Sequence, residues 1–370
     1  MDTGTGLVER AGGLGEVARR RAADAEERRR LTPDVVAGVL ESGFARHFVP
    51  VGFGGAGGTF REFADAVAVV AEGCAAAAWC ASVASSLARV AAFLPAQGQA
   101  EVWAEGADAF VVGSLSPAGR AAAAPGGWRV SGSWACVSGV DFSDWVVVCA
   151  ALPGQAGARL FALPRGAYAV KDTWSASGMR GTGSNTVVVD DVFVPESRSV
   201  DRQRLSDGPA VPIQAVNGLS CAPAALGAAR GALRLWTGDT ARRLARGAGK
   251  AGGPGPSLGT YEAALARSSG EIDAAALLLE RAASVADDRG ARITQEEVAR
   301  NVRDYALSSE LLVNAVNRMF ATAGTSGQSL ESPLQRAWRD VNSIATHIAL
   351  TFDPAAVLFA ARPFALEAAA

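Results

Sequence analysis

The sequence predicts an α+β fold in which a β domain lies between two helical layers. Three observations predict it. Residues from about 7 to 107 carry helical periodicity, residues from about 108 to 200 switch to short β-rich runs, and residues from about 213 to 365 return to long helical patterns. The corresponding domains are 1–107, N-terminal and helical; 108–212, central and β; and 213–370, a C-terminal helical bundle. No internal repeat is visible.

In the first region, Leu7 to Arg30 is charge-rich and amphipathic, a surface helix. Thr32-Pro33-Asp34 starts a second helix, with Thr as N-cap and Pro in the first turn, and this helix runs to Glu41 and stops near Gly43. A Gly-rich loop, 50–58, follows. Two more helices are expected over about Phe60 to Glu72 and Ala75 to Leu94. The second is apolar on all sides and therefore belongs in a core.

The middle region supplies strands at Ala109–Gly113, Gly127–Val130, Asp144–Ala150, Arg159–Leu163, Thr186–Val189 and Val192–Val194, each bounded by turn residues. In the last region, Ile272, Ala275, Ala276, Leu279, Ala282 and Ala283 share one helix face. Leu312, Ala315, Val316, Met319 and Phe320 share another. The segment Gly247–Pro256 is a flexible break between helices.

Composition limits the function. With 35 Lys+Arg against 37 Asp+Glu, the formal net charge is −2, which argues against a nucleic-acid partner. Charged residues make up only 19%, and Ala runs such as Ala75–Ala78 and Ala121–Ala124 suit close-packed helices or large subunit interfaces. Five cysteines, without a CxxC, read as reduced thiols in a cytoplasmic protein. The start, MDTGTGLVER, has no secretory pattern, and no run of 18 apolar residues suggests a membrane span. Two histidines, His47 and His347, are too few for a clustered metal site, so no metal is expected.

Three motifs narrow the reading. They are Trp174-Ser175-Ala176-Ser177-Gly178-Met179-Arg180-Gly181-Thr182-Gly183-Ser184-Asn185 with Val187 to Pro195 after it; Trp134-Ala135-Cys136-Val137-Ser138-Gly139 with Asp144-Trp145; and Ser332-Pro333-Leu334-Gln335-Arg336-Ala337-Trp338-Arg339-Asp340-Val341 with His347 downstream. Together, and in this order, they resemble the oxygenase components of two-component flavin-dependent monooxygenases of the acyl-CoA dehydrogenase fold superfamily. The resemblance spans about residues 10 to 360. It implies a central β-sandwich or barrel and a C-terminal four-helix bundle. It also implies reduced FMN or FAD delivered by a separate NAD(P)H:flavin reductase, O₂ as co-substrate, C4a-hydroperoxyflavin chemistry and a homotetramer built as a dimer of dimers.

Site residues follow from the same resemblance. Trp134 would cover a flavin face and Ser138 would reach the ring's N5/O4 edge. Gly181, Thr182, Gly183 and Ser184 would line the ribityl-phosphate side, where glycines admit a ligand to the backbone. Arg336 and Arg339 are candidates for the flavin phosphate, although Arg336 and Asp340, four apart, could equally form a structural ion pair. His347 and Ser138 are the catalytic candidates, since an imidazole can hydrogen-bond a hydroperoxide or accept a substrate proton. Trp79, Leu87, Phe93, Phe142 and Phe352 offer an apolar substrate pocket. His47 reads as a surface or hinge residue.

The resembled phenol hydroxylases often carry histidines where this chain has Leu87 and Phe142. Their absence points to an apolar or polycyclic small molecule, such as an aromatic or polyketide in natural-product biosynthesis. N-oxygenation of an amine is the first alternative. Acyl-CoA dehydrogenation is the second, but the stretch expected to hold its base reads Thr346-His347-Ile348-Ala349, leaving only Glu262 or Glu271 to serve.

Overall fold

Helices form where the apolar period demands them, and in chain order they bracket one sheet. The computed structural model describes residues 6–154, 157–206, 211–247, 256–288 and 292–368. The N-terminal layer contains α1 (Leu7–Arg28), α2 (Pro33–Glu41), α3 (Phe60–Ala71), α4 (Ala75–Ala91) and α5 (Ala96–Val102). The strands are β1 (Val111–Ala124), β2 (Gly127–Val137), β3 (Trp145–Ala151), β4 (Ala158–Pro164), β5 (Ala169–Lys171), β6 (Asn185–Pro195) and β7 (Ser199–Asp201). The C-terminal helices are α6 (Ile213–Val216), α7 (Ala222–Ala245), α8 (Leu258–Asp287), α9 (Gln295–Thr322), α10 (Pro333–Ile344) and α11 (Phe352–Ala368). Of the segment Gly247–Pro256, residues 248–255 lie outside the described residues. Among the described residues, no helix is long and apolar enough to cross a membrane.

The strands make one sheet in the order β5-β6-β2-β1-β3-β4-β7, with β1 parallel to β3 and every other pair antiparallel. Two expected strand limits are corrected. β1 runs on through Ala121–Ala124, so that alanine run is strand, not helix. Its register on β3 shifts between Ser114 and Gly119, around Pro117, which cannot donate to a ladder. The two runs 186–189 and 192–194 belong to the single strand β6. Alanine's weak β preference and the polar pair Asp190-Asp191 hide both continuities from a local reading. The short elements α5, β5 and β7 carry too few residues to show a period.

Helix α4 is the centre of the molecule. Its alanines let α3 and α7 come close, and it also meets β1, so nearly every side chain on it is buried. Helix α7 crosses α3 at backbone contact: a Cβ on Gly227 would lie 2.0 Å from the Ala68 carbonyl oxygen. This approach fixes the platform from which α4 presents its residues. Gly227→Ala should therefore destabilise the protein by about 1–3 kcal/mol through overpacking, despite alanine's better helix propensity. Urea unfolding compared with the wild type checks this.

Candidate functional site

A run of hydroxyls between α4, the end of β2 and the turn before β6 forms the polar heart of the candidate site. Trp79 Nε1–H donates to Ser138 Oγ at 3.0 Å. Ser138 Oγ lies 2.7 Å from Ser184 Oγ, and Ser184 Oγ lies 2.6 Å from Thr182 Oγ1. Thr182 Oγ1 donates to the Met179 carbonyl at 2.8 Å. Each hydroxyl has one proton, and that fixes the direction of the chain. Thr182 spends its proton on Met179, so Ser184 must donate to Thr182, and Ser138 to Ser184. Every proton runs inward, and Ser138 keeps only acceptor capacity.

Met179 anchors the inner end. Its φ of +54° is a left-handed conformation uncommon for a side-chain-bearing residue. Its N–H donates to Asp340 Oδ1 of α10 at 2.6 Å. Its carbonyl accepts from Thr182 N–H, Thr182 Oγ1 and Trp174 Nε1. Burial pushes Asp340 up to about 6, against the pull of the Met179 N–H and Arg339.

At the outer end, the ring of Trp79 meets His347 edge-on, with centroids 5.6 Å apart. His347 does not continue α10. It follows that helix and caps a short turn, Ile348–Leu350, accepting at Nδ1 from Ala349 N–H at 3.2 Å. Cys221 Sγ, at the start of α7, lies 3.4 Å from the same nitrogen. Burial lowers the imidazole's pKa. On α4, Val83 and Ser86 share the Trp79 face one and two turns on, and with Trp79 and Arg89 they are the half-buried residues of a helix whose other side chains are buried. Their i, i+4, i+7 spacing from Trp79 was available in the sequence.

The structure thus brings together Trp79, Ser138, Thr182, Ser184 and His347, and it corrects several other expectations. Trp134 is a core residue of the β domain, 1% exposed, with its Nε1–H donating to the Cys149 carbonyl at 2.8 Å. Its indole lies on the bare backbone of Gly119 and Gly132, so it offers no free face to a flavin. Arg336 and Arg339 are both engaged by Glu26 of α1, at 3.6 and 2.5 Å. Arg339 also donates to the Ser177 carbonyl. They are structural cations, and the expected Arg336–Asp340 pair gives way to Asp340's bond with Met179. Gly181 and Gly183 serve packing: a Cβ on Gly181 would meet those of Ala25 and Ala76 at 3.2 Å, and Gly183 has φ +54° beside Asp141.

Of the apolar candidates, Phe142 belongs with Trp79 in the main core cluster. Leu87 and Phe93 pack in a second cluster around Trp103, which Val83 bridges to the first. Phe352 opens α11, five residues beyond His347, and is half-buried. His47 is buried and bonded to the Thr59 carbonyl, a core residue rather than a surface or hinge one. For dehydrogenation, Ile348 stands exposed where a base would be needed. Glu262 is exposed on α8, and Glu271 is held by both terminal nitrogens of Arg318. None of these supplies a carboxylate beside His347.

Comparison with known proteins gives one consistent answer. A model of the family described as "Acyl-CoA dehydrogenase, C-terminal domain" matches residues 219–352. The chain is 33% identical, over 98% of its length and 94% of the relative's, to the FADH(2)-dependent resorcinol hydroxylase, oxygenase component, of Rhizobium sp. (strain MTP-10005). It superposes on 3-HSA hydroxylase from Rhodococcus sp. RHA1 with a TM-score of 0.91 at 28% identity, covering 98% of this chain and 97% of that one. XiaF from Streptomyces sp., in complex with FADH2 and glycerol, gives 0.89 at 28% identity, covering 97% and 95%.

The Asp340 anchor makes a testable claim about pH. Its folded pKa lies above the unfolded carboxylate value of about 4, so its contribution to stability is complete below about pH 4. That contribution is lost as pH rises through about 6. Asp340→Asn should flatten this slope while keeping an acceptor for Met179 N–H. Asp340→Ala should cost about 1–3 kcal/mol at every pH by orphaning that donor. Chemical denaturation between pH 4 and 8 checks both.

Proposed function

Because this chain belongs to the oxygenase components of two-component flavin-dependent monooxygenases, built on the acyl-CoA dehydrogenase fold, we propose that it hydroxylates a neutral, ring-rich phenolic molecule of the polyketide type in natural-product biosynthesis. The enzyme uses reduced flavin and O₂, and a separate flavin reductase supplies the flavin. Bound reduced flavin provides the two electrons that let one oxygen atom reach the substrate while the other leaves as water.

The observation that carries the site assignment is the inward-running hydroxyl chain. A reduced isoalloxazine ring carries a proton on N5 and is a donor there, whereas the oxidised ring presents a lone pair. Ser138, with its own proton spent on Ser184, is the acceptor that matches the reduced ring. Ser184 and Thr182 hold it in that state, and Trp79 fills the other lone pair. These residues fit the reduced cofactor through donor–acceptor matching, in place of the assigned Trp134, Arg336 and Arg339.

His347 presents its imidazole beside Trp79, where oxygen transfer would occur. Trp79 and Val83, on one face of α4, offer an apolar surface that suits a flat substrate. A homotetramer is part of the proposal, supported by the exposed apolar side chains Val357, Leu358 and Phe364 on α11.

Two variants test the reading, with resorcinol and larger phenolic polycycles as substrates. His347→Ala should lower product formed per flavin oxidised and raise peroxide release. Its affinity for reduced flavin should stay within about tenfold, about 1.4 kcal/mol. Unchanged coupling removes His347 from the chemistry. Ser184→Ala should free the Ser138 proton and cut the preference for reduced over oxidised flavin about three- to tenfold, the worth of one hydrogen bond. Equilibrium titration with both redox forms reads that ratio.

A further inference from the structure

We infer that Cys221 and the Ala349 amide lock His347 as the tautomer protonated on Nε2. The imidazole then faces its ligand as a hydrogen-bond donor and not as a base. The donor role rests on the placement of His347 proposed above; the tautomer itself does not.

The deciding contact is Ala349 N–H to Nδ1, at 3.2 Å. A backbone amide has a proton and nothing to accept with, so Nδ1 must present a lone pair. The single proton of the neutral ring is then on Nε2. Cys221 adds a second constraint from a different element. Its Sγ lies 3.4 Å from Nδ1 and 3.5 Å from Ser220 Oγ. The Ser220 hydroxyl donates to the Asn217 carbonyl at 2.6 Å, so the Cys221 proton is the one left to share. Burial pushes the Cys221 thiol up to about 12, so it stays S–H through the working range and has that proton to give. The amide and the thiol share the one lone pair of Nδ1, and each, as a donor, favours the neutral imidazole over the imidazolium.

The ring's other neighbours do not disturb this. Trp79, from α4, meets it edge-on and spends its own N–H on Ser138. Cys221 is the titratable neighbour at the start of α7. Among the described residues, no charged side chain hydrogen-bonds or ion-pairs with the ring, whose contacts are Cys221, Ala349 and Trp79. Nε2 has no protein acceptor among the described residues, so its proton is available to a ligand.

The chemical consequence is a role for His347 opposite to that of a general base. A base must bring a lone pair to the substrate, and here the lone pair is turned inward and occupied. What Nε2–H can do is stabilise negative charge building on an oxygen in front of it. Cys221 is a positioning residue for that donor, acting through His347.

The test uses the flavin-free full chain labelled with ¹⁵N-histidine. Only two histidines, His47 and His347, contribute signals, and His347→Asn assigns them by subtraction. Long-range ¹⁵N–¹H correlation spectra between pH 5 and 8 should show His347 Nδ1 unprotonated and Nε2 protonated, with a titration midpoint below that of a free histidine. Cys221→Ala should raise that midpoint by removing a donor to the neutral ring, and Cys221→Ser, which keeps a hydroxyl proton, should restore the low value. A Nδ1–H or mixed tautomer in the wild type overturns the inference, as does a midpoint indifferent to Cys221→Ala. Since no flavin or substrate is present, such a failure would leave the monooxygenase reading standing. Conversely, unchanged coupling in His347→Ala would sink the catalytic role while the tautomer could still hold.

Discussion

The hydroxyl run of the candidate site hangs from one backbone unit, the peptide flanks of Met179. A carboxylate from α10 takes its N–H, and three donors converge on its carbonyl. That arrangement holds a side-chain-bearing residue in left-handed φ/ψ space, at a cost of order 1–3 kcal/mol. With the carbonyl fixed, Thr182, Ser184 and Ser138 have one consistent donor order. Reversing it would cost the Met179 carbonyl its Thr182 hydroxyl donor and turn the Ser138 proton outward. The direction of the hydrogen-bond chain is thus set at the Met179 carbonyl, whose peptide is held from the other side by a buried acid.

The two polar ends of the site are built on different principles. The serine end is a relay of neutral hydroxyls that leaves an acceptor. The histidine end is an imidazole with its inner nitrogen covered by donors, leaving a donor outward. Trp79 lies between them, bonded to one and packed on the edge of the other. An acceptor and a donor at opposite ends of one indole give the pocket a polarity without any formal charge. In an apolar enclosure such neutral groups avoid the desolvation cost that a charged pair would carry, and they remain strong because competing water is scarce.

Much of this was legible in the sequence, and the parts that were not share a cause. The three-layer order follows from changes of period. Ser138, Thr182, Ser184 and His347 lie in or just after the three motifs that carry the family resemblance, and Trp79 lies on the helix predicted to be apolar on all sides. Trp134 was misread because its direction is non-local. Glycines on two paired strands, Gly119 and Gly132, leave a slot that turns the indole inward. Arg336 and Arg339 look like free cations until Glu26, 313 positions from Arg339, is placed against them. Asp340 was seen, but its partner proved to be a backbone amide, which leaves no trace in a residue pattern. His347 was counted along a helix that ends at Ile344. Its capping role became visible only with the turn that follows.

The clasp between Glu26 and the two arginines of α10 joins the beginning of the chain to its end. During synthesis, α1 emerges first and must wait for α10 before its acid is paired. Asp340 arrives with α10 too, so the Met179 turn stays unanchored until α10 has left the ribosome. Contacts of such long sequence separation are the slow ones to form. A polypeptide that stops before α10 therefore lacks both partners of Glu26 and the acid that holds the Met179 turn.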